Sequence, residues 1–273
     1  MDRTFHSARL VKKQCLSHAA ETYHLEFVLP DLDTFPFLPG QFVSAVASDP
    51  SGKEQIRAYS LASAPDGNRF ALCLNRVAGG FFSNLLADIP DLPNGGAIQI
   101  YGPNGFFTLR EPLTDSILIA TGTGVAPMRS FLERLFPIDG SDRSNGKNIW
   151  LVYGTRHESE IYYRDEFLSL AARYPNFHYM PTLSRAPANW TGLRGYVQEH
   201  VATIIRNRAE RLGQSLPVPP LQTPVSNPGI PPAELHFDIH AYVCGLSPMI
   251  NAVRDLLKSY GWHRKQIIFE RYD

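Results

Sequence analysis

The sequence has few cysteines, and their positions exclude two common kinds of scaffold. Cys15, Cys73 and Cys244 are the only three in a chain of 273 residues. Their odd number and wide spacing do not fit a disulfide framework, and three thiols cannot complete a four-thiolate iron–sulfur cluster on this chain. The nine histidines show no metal-ligand spacing, so we expect no metal site.

Net charge and long apolar runs are also missing. Lys plus Arg is 26 and Asp plus Glu is 26, and this balance does not favour a nucleic-acid partner. No run approaches the roughly 18 apolar residues of a membrane span, and the first residues lack the apolar core of a signal peptide. We therefore expect a globular cytoplasmic protein, a monomer or weak dimer, without a membrane or nucleic-acid partner.

Short strands are predicted over the first 110 residues. Six apolar or alternating segments are separated by turns rich in Pro, Gly, Asp and Asn, which is typical of an antiparallel barrel. One short helix, at 81–87, interrupts the strands. The six segments are 8–17, 22–29, 41–47, 55–62, 69–77 and 97–101.

Strands and helices alternate from about residue 115, which predicts a parallel sheet covered on both faces. We therefore predict a six-stranded antiparallel β-barrel at 1–111 and an α/β nucleotide-binding domain at 112–273. A segment at about 213–235 contains seven prolines, which exclude helix and central strand. It is either an exposed insertion or a clamp on a neighbouring domain or partner. The predicted strands are 116–120, 148–153, 177–183, 241–244 and 266–269, and the helices 128–136, 163–173, 196–206 and 248–260.

A glycine turn follows the first apolar strand of the second domain. Gly122 and Gly124 would let the backbone pass close to a phosphate, and the next helix would offer unpaired N–H groups to it. Pro127 suits the first turn of that helix. The usual third glycine is missing, so the turn alone could be an ordinary strand–helix connection.

A second motif, Arg57-Ala58-Tyr59-Ser60, lies on a predicted barrel strand. The two-residue period places Arg57 and Tyr59 on one face and Ser60 on the other. Arg57 could pair with a phosphate, Tyr59 could stack on a flat cofactor, and Ser60 could bond a ring nitrogen. Alone, the motif also describes an ordinary strand with one exposed arginine.

Seven motifs in chain order resemble the ferredoxin–NADP reductase superfamily, over residues 8–273 except the proline-rich segment. The resemblance is to a bacterial-like member without a fused iron–sulfur domain. The motifs are Arg-x-Tyr-Ser at 57–60, Asn75-Arg76, Gly80-x-x-Ser83, Gly102-Pro103-Asn104-Gly105, Gly-Thr-Gly-x-Ala-Pro from Gly122, Tyr242-Val243-Cys244-Gly245 and Phe269-Glu270-Arg271-Tyr272.

This resemblance implies that the barrel binds FAD. Tyr59 would pack against the flavin ring, and Ser60 would bond flavin N5. Ser60, Cys244, Glu270 and Tyr272 would be catalytic, although Cys244 also fits a small core residue and Tyr272 a frayed terminal one. The implied FAD-binding residues are Arg57, Ala58, Tyr59, Ser60, Asn75, Arg76, Gly80, Phe81, Phe82, Ser83 and Tyr272.

The resemblance also implies that the second domain binds NADP(H). A hydroxyl and two guanidinium groups would surround the 2′-phosphate, and an aromatic ring would stack on the adenine. NADH-using oxygenase reductases share part of this pattern, and the arginines could instead be solvated loop charges. Arg156 either adds to the same anion site or faces solvent. The implied residues are Thr123, Gly124, Ser184, Arg185, Arg194, Tyr196, Gln198, Gly245 and Leu246.

The implied enzyme is an FAD-dependent NADP(H) oxidoreductase that exchanges single electrons with ferredoxin or a flavodoxin-like carrier. The same chemistry would serve the NAD(P)H-dependent reductase component of an oxygenase, or a flavin or ferric reductase. A third hypothesis is a regulatory protein that holds FAD without turnover. Ser60, Cys244 and Glu270 together argue against it.

Overall fold

Six antiparallel strands form a barrel in the first part of the chain. The computed structural model describes residues 3–90, 96–213 and 237–272. The strand order is β4-β3-β6-β1-β2-β5, and a bridge between Leu61 and Leu72 joins the two outer strands. The strands are β1 (Phe5–Ser17), β2 (Thr22–Val28), β3 (Phe42–Ser48), β4 (Glu54–Ser60), β5 (Arg69–Asn75) and β6 (Ala97–Asn104).

Aromatic side chains fill the barrel. Phe27 and Phe70 are directly opposite on β2 and β5, and their rings stack with centroids 5.4 Å apart. Helix α1 (Phe81–Asp88) adds Phe82 and Leu86 to the same core. Because this core covers one face of each strand, side chains on the other face remain available to a ligand or to the second domain.

The second part of the chain forms a six-stranded parallel sheet in the order β10-β9-β8-β7-β11-β12. Strands β8 and β11 are buried along their whole length, as expected for a sheet covered on both faces. The elements are β7 (Asp115–Thr121), α2 (Val125–Leu135), β8 (Ile149–Thr155), α3 (Arg164–Arg173), β9 (Phe177–Leu183), β10 (Leu193–Arg194), α4 (Val197–Arg211), β11 (Ile239–Gly245), α5 (Ser247–Ser259) and β12 (Ile267–Arg271).

Two apolar cores cover the two faces of this sheet. One contains Phe131 of α2 and Phe167 of α3, and the other contains Val201 of α4 and Val253 of α5. The predicted fold class, an antiparallel barrel followed by a parallel α/β sheet, is confirmed. The short strand β10 was not predicted, because two residues carry no periodicity.

The strand order changes direction between β7 and β11. From β7 the chain proceeds outward through β8, β9 and β10, then returns to place β11 on the other side of β7. Ligands of open α/β sheets bind at the carboxyl ends of strands where the order reverses. The glycine turn at 122–124 and Gly245 both lie at this position.

The proline-rich segment predicted at about 213–235 lies outside the described residues, apart from Gly213. Among the residues described, no helix combines the length and the hydropathy needed to cross a bilayer.

Candidate active site

Ser60 and Glu270 meet at the junction of the two sheets. Ser60 ends β4 of the barrel and is buried, and Glu270 lies on the edge strand β12. The Ser60 hydroxyl donates to Glu270 Oε1 at 2.5 Å. Residues 210 positions apart in the sequence therefore form one hydrogen-bonded pair.

Cys244 and Tyr272 complete the cluster. Cys244 is opposite Glu270 in the register of β11 and β12, and the Tyr272 amide donates to the Gly245 carbonyl at 3.1 Å. The Tyr272 hydroxyl lies near the side chains of Ser60 and Cys244. The structure thus brings together the four residues that the resemblance implied to be catalytic.

Burial controls the protonation of this cluster. Burial raises the pKa of the Glu270 carboxyl, and the hydrogen bond from Ser60 partly opposes that rise. Burial, with the Glu270 charge, also holds the pKa of the Cys244 thiol well above its ordinary value. Cys244 is therefore a neutral thiol near pH 7. Glu270 stays protonated up to a higher pH than an exposed glutamate does.

The strand before Ser60 presents two kinds of surface. Arg57 and Ala58 are exposed, whereas Tyr59 is partly buried against the barrel core. Burial raises the pKa of Tyr59 to about 12, so its ring carries no charge at neutral pH. A neutral aromatic face next to Ser60 suits the packing of a flat ring system.

The start of α1 offers backbone donors. Gly80 is the N-cap residue, the first turn contains no acidic residue, and no side-chain cap is present among the described residues. The Ser83 hydroxyl instead accepts from the Val77 amide at 3.1 Å. Phe82 and Ser83 are buried and Phe81 is partly buried, so this end of α1 fits a phosphate that contacts backbone N–H groups.

The predicted flavin residues at the end of β5 differ in their surroundings. Asn75 is exposed. The Arg76 guanidinium is paired with Asp88, and its Nε lies 3.7 Å from Glu21. Carboxylates therefore already surround the charge of Arg76.

The glycine turn approaches the end of β11 closely. Gly122 has φ +54°, which favours glycine, whereas Gly124 has ordinary helical geometry. A Cβ on Gly124 would lie 2.4 Å from the Cys244 carbonyl oxygen. The turn thus reaches the predicted catalytic strand only because residue 124 lacks a side chain, and Thr123 beside it is partly exposed.

Two arginines lie on adjacent strand ends. The Ser184 amide donates to the Thr155 carbonyl and the Arg185 amide to the Arg156 carbonyl, both at 3.0 Å. The side chains of Ser184, Arg185 and Arg156 are exposed. This arrangement can place a hydroxyl and two positive charges around one anion.

Arg194 differs from that pair. Its guanidinium donates to carbonyl oxygens of the loop at 186–190, at 2.7 Å for Trp190 and 2.9 Å for Pro187. Tyr196, two residues later, is 63% exposed and Gln198 is partly buried. Leu246, at the start of α5, is 57% exposed. Arg194 thus organises the loop, while Tyr196 presents a free aromatic face.

A groove opens beside Glu270, and we call it the β12 groove. Its volume is about 430 Å³, and it lies between the barrel and the edge strand β12. Phe106 on its barrel side is 91% exposed. Its lining residues include Phe42, Phe106, Phe107, Arg110, Arg264, Lys265, Phe269 and Glu270.

Helix α2 contributes residues for which the motifs gave no signal. Arg129, Ser130 and Glu133 all contact the chain that follows Ser60. Their helical spacing places them on one face, but only the position of the barrel shows what that face contacts. Within the described residues no cluster of His, Cys, Asp or Glu is arranged to hold a metal.

Each of the two domains matches the model of a known oxidoreductase family. The oxidoreductase FAD-binding domain model matches residues 7–109, and the oxidoreductase NAD-binding domain model matches residues 118–217. Both assignments agree with the positions of the two candidate nucleotide sites.

Three known proteins illustrate the relationship. Ferredoxin–NADP reductase B of Sorangium cellulosum is 37% identical over 270 residues, 97% of either chain. The toluate 1,2-dioxygenase electron transfer component of Pseudomonas putida is 26% identical, over 92% of this chain and 63% of its own. A ferredoxin NADP+ reductase from Neisseria gonorrhoeae, solved with FAD and NADP, shares the fold with a TM-score of 0.70, 22% identity and 98% coverage of each chain.

The chain belongs to the ferredoxin–NADP reductase superfamily. It is an FAD-dependent oxidoreductase that uses a nicotinamide dinucleotide. The family, enzyme class and cofactors that the motif order implied are confirmed.

Proposed function

We propose that this protein is a ferredoxin– or flavodoxin–NADP(H) reductase, with FAD on residues 1–111 and NADP(H) on residues 112–273. The observation that carries the proposal is the Ser60–Glu270 pair, which lies beside Cys244 and opens into a groove with a cationic rim. When bound, FAD converts between a two-electron hydride and single electrons. The protein supplies position, proton control and access for the partner.

The four clustered residues have separate roles in this proposal. A protonated Glu270 would donate to the Ser60 hydroxyl, and the Ser60 proton would then be available to bond the reacting edge of the flavin. Cys244 would present a neutral thiol and a small surface at the nicotinamide position. Tyr272 would cover the other flavin face, and it would have to move aside for the nicotinamide to approach.

Backbone donors and arginines would bind the phosphates. Arg57 and the first turn of α1 would hold the FAD pyrophosphate, and Thr123 and Gly124 that of NADP(H). Around the nicotinamide end, Gly245 and Leu246 would form the wall.

The 2′-phosphate would contact Ser184 and Arg185, and Tyr196 would stack on the adenine. Exposure of all three side chains supports this assignment, because each is available to a ligand. A guanidinium is well suited to a phosphate dianion because its planar fork can donate two hydrogen bonds.

The β12 groove indicates the kind of carrier. Arg110, Arg264 and Lys265 are exposed around it, and Phe106 provides an apolar contact. Charge complementarity favours an acidic one-electron protein that docks here and reaches the flavin edge near Glu270. The neutral net charge of the chain therefore conceals a local positive surface.

A second candidate is the NAD(P)H-dependent reductase component of an oxygenase. Arg194 is held by loop carbonyls rather than presented to a 2′-phosphate, which weakens the preference for NADPH. The similarity to the toluate dioxygenase component is a second reason to retain this candidate. The two candidates differ in nucleotide and in acceptor, and not in the flavin site.

An anaerobic titration with NADPH and with NADH distinguishes them. Fast bleaching of the flavin band by NADPH alone supports the ferredoxin–NADP reductase assignment. Equal or faster bleaching by NADH supports the oxygenase component, and the absence of bleaching by either contradicts both.

Carrier docking is tested with the double variant Arg264→Gln/Lys265→Gln. We expect the KM for an acidic ferredoxin to rise about tenfold at low salt, because two rim charges are lost. Activity with a small artificial acceptor should stay unchanged. Lys147→Gln is the control, since Lys147 is exposed before the amino end of β8, away from the groove. Equal KM values for the variant and the control would reject this docking site.

A further inference from the structure

Three consecutive residues of the barrel, Ala62 to Ala64, are held by the side chains of α2. Arg129 Nη1 donates to the Ala62 carbonyl at 2.6 Å, and the Ser130 hydroxyl donates to the Ser63 carbonyl at 2.5 Å. The Ala64 amide donates to Glu133 Oε2 at 2.7 Å. Backbone in one domain is thus held by side chains of the other.

We call these three hydrogen bonds between α2 and residues 62–64 the link, and each of its ends adjoins a predicted site. The segment at 62–64 begins two residues after Ser60, which bonds Glu270. Helix α2 begins directly after the glycine turn that contacts Cys244. A displacement of α2 relative to the barrel would therefore change the separation between the flavin side and the nicotinamide side.

Arg129 is the centre of this link. Its three guanidinium nitrogens have three different partners, with Nε 2.9 Å from Glu166, Nη2 2.6 Å from Glu133, and Nη1 on Ala62. The Arg129 guanidinium also lies over the Tyr163 ring, 4.9 Å from its centroid. Only 14% of its side chain is exposed, so water competes little for these contacts.

Tyr163 extends the link to a second part of the barrel. Its hydroxyl lies 3.0 Å from His24 Nδ1 on β2, and its φ of +57° is unusual for a residue with a side chain. Such backbone geometry persists only where surrounding contacts fix it. Arg129 thus reaches the end of β4 directly and β2 through Tyr163.

We propose that Arg129 is a positioning residue for hydride transfer, which fixes the distance between the nicotinamide and flavin sites by holding α2 to the backbone after Ser60. The inference rests on the proposed function. It assigns to Arg129 no contact with substrate or cofactor. Lysine can replace it only in part, because an ammonium group keeps the charge but lacks the planar fork that reaches three separate partners.

Single-turnover reduction of the FAD-loaded protein by NADPH, and by NADPH deuterated at the transferred position, tests this proposal. We expect hydride transfer at least tenfold slower in Arg129→Gln and an intermediate rate in Arg129→Lys. The Kd for NADPH and the flavin content should remain within about threefold of wild type. The isotope effect should become more temperature dependent, because the donor–acceptor distance is no longer fixed.

Arg134→Gln is the matched control, because Arg134 is on the same helix and exposed. If the Arg129 variants lose FAD, Ser130→Ala provides the test instead. It removes the hydrogen bond to the Ser63 carbonyl with little change in volume, and it should slow hydride transfer two- to fivefold. A merely structural role would lower stability and flavin content while the flavin-loaded fraction kept the wild-type rate and isotope effect. That result would overturn the proposal.

The wild-type reaction separates this proposal from the function on which it rests. If neither NADPH nor NADH reduces the wild-type flavin, the proposed function fails and the positioning role fails with it. If wild type, Arg129→Gln and Ser130→Ala are all reduced at the same rate, only the positioning role is rejected.

Discussion

An exposed arginine can bind a nucleotide phosphate more readily than an arginine that is already hydrogen-bonded to the protein. Arg185 is exposed and its backbone is fixed beside Arg156, so its side chain can reach an anion without breaking a contact. Arg194 would first have to release carbonyl groups of the loop at 186–190. Breaking those hydrogen bonds costs free energy, which lowers the affinity for the nucleotide. If the proposed function is right, we therefore expect nucleotide preference to depend on Arg185 more than on Arg194.

We expect Arg185→Ala to raise the KM for NADPH about tenfold and to leave the KM for NADH within twofold. The reason is the loss of a charge-assisted hydrogen bond to the 2′-phosphate, worth roughly 1.5–3 kcal/mol. Steady-state kinetics with an artificial electron acceptor and both nucleotides measures the change. Parallel increases in both KM values would mean that Arg185 supports the loop and not the phosphate.

Sequence motifs predicted which polar residues would share a site, but not how each would be engaged. The four residues implied to be catalytic do come together, although Ser60 and Glu270 belong to different sheets. The carbonyl contacts of Arg194 depend on the path of the loop at 186–190, which no motif specifies. The contacts of Arg129 depend on the relative position of two domains. Such contacts are long-range, and local pattern carries no information about them.

At the scale of elements, the candidate active site is formed by the ends of strands. β4, β7, β11 and β12 all end beside it, and side chains elsewhere on β7 and β11 serve the core. Strand spacing in the sequence predicted most of these elements because buried parallel strands are continuous apolar runs. The predicted starts of α1, α3, α4 and α5 lie within one residue of the observed ones, and the start of α2 differs by three. Helix α2 begins at Val125 and not at 128, since Pro127 fits inside a first helical turn.

Two elements approach each other closely at Gly124. We expect Gly124→Ala to raise the Kd for NADPH about tenfold, because the new Cβ would be 2.4 Å from the Cys244 carbonyl and the turn must shift. Overpacking of this kind lowers the free energy of unfolding by about 1–3 kcal/mol. Titration of flavin reduction with NADPH measures the affinity, and thermal unfolding measures the loss of stability.

Gly67→Ala provides the comparison for that variant. Gly67 has φ +54° with open space around the added Cβ, so an alanine there is strained without a clash. It should lower the free energy of unfolding by about 1 kcal/mol and leave the Kd for NADPH unchanged. Equal effects of the two substitutions on nucleotide affinity would show that the approach of Gly124 to β11 does not matter for binding.

At the scale of the whole molecule, the two domains share a polar and partly titratable interface. Thr22 and His24 on β2 contact the hydroxyl groups of Tyr162 and Tyr163, and Cys73 on β5 lies beside Tyr163. Apolar residues of both domains, including Phe107 and Phe131, form one continuous core around these contacts. The relative position of the domains therefore depends on buried polar groups as well as on apolar area.

His24 makes this interface sensitive to acid. It is 4% exposed, and burial together with the nearby Arg129 charge lowers its pKa to about 4, although Glu26 at 3.3 Å opposes the shift. The ordinary histidine pKa is about 6.5. Between these two values the unfolded chain binds a proton that the folded protein excludes. Stability attributable to neutral His24 is complete above about pH 6.5 and is lost as the pH falls toward 4.

We expect this loss to reach on the order of 3 kcal/mol at pH 4, because the pKa of His24 is about 6.5 in the unfolded chain and about 4 in the folded protein. Urea unfolding of the FAD-loaded protein at several pH values between 7 and 4 measures it. His24→Asn removes the titration while it keeps a polar group toward Tyr163, so its free energy of unfolding should fall less steeply over this range. His18→Asn, at an exposed turn, should keep the wild-type slope. If His24→Asn and wild type have the same slope, other groups control the acid sensitivity and the domain interface does not contribute to it.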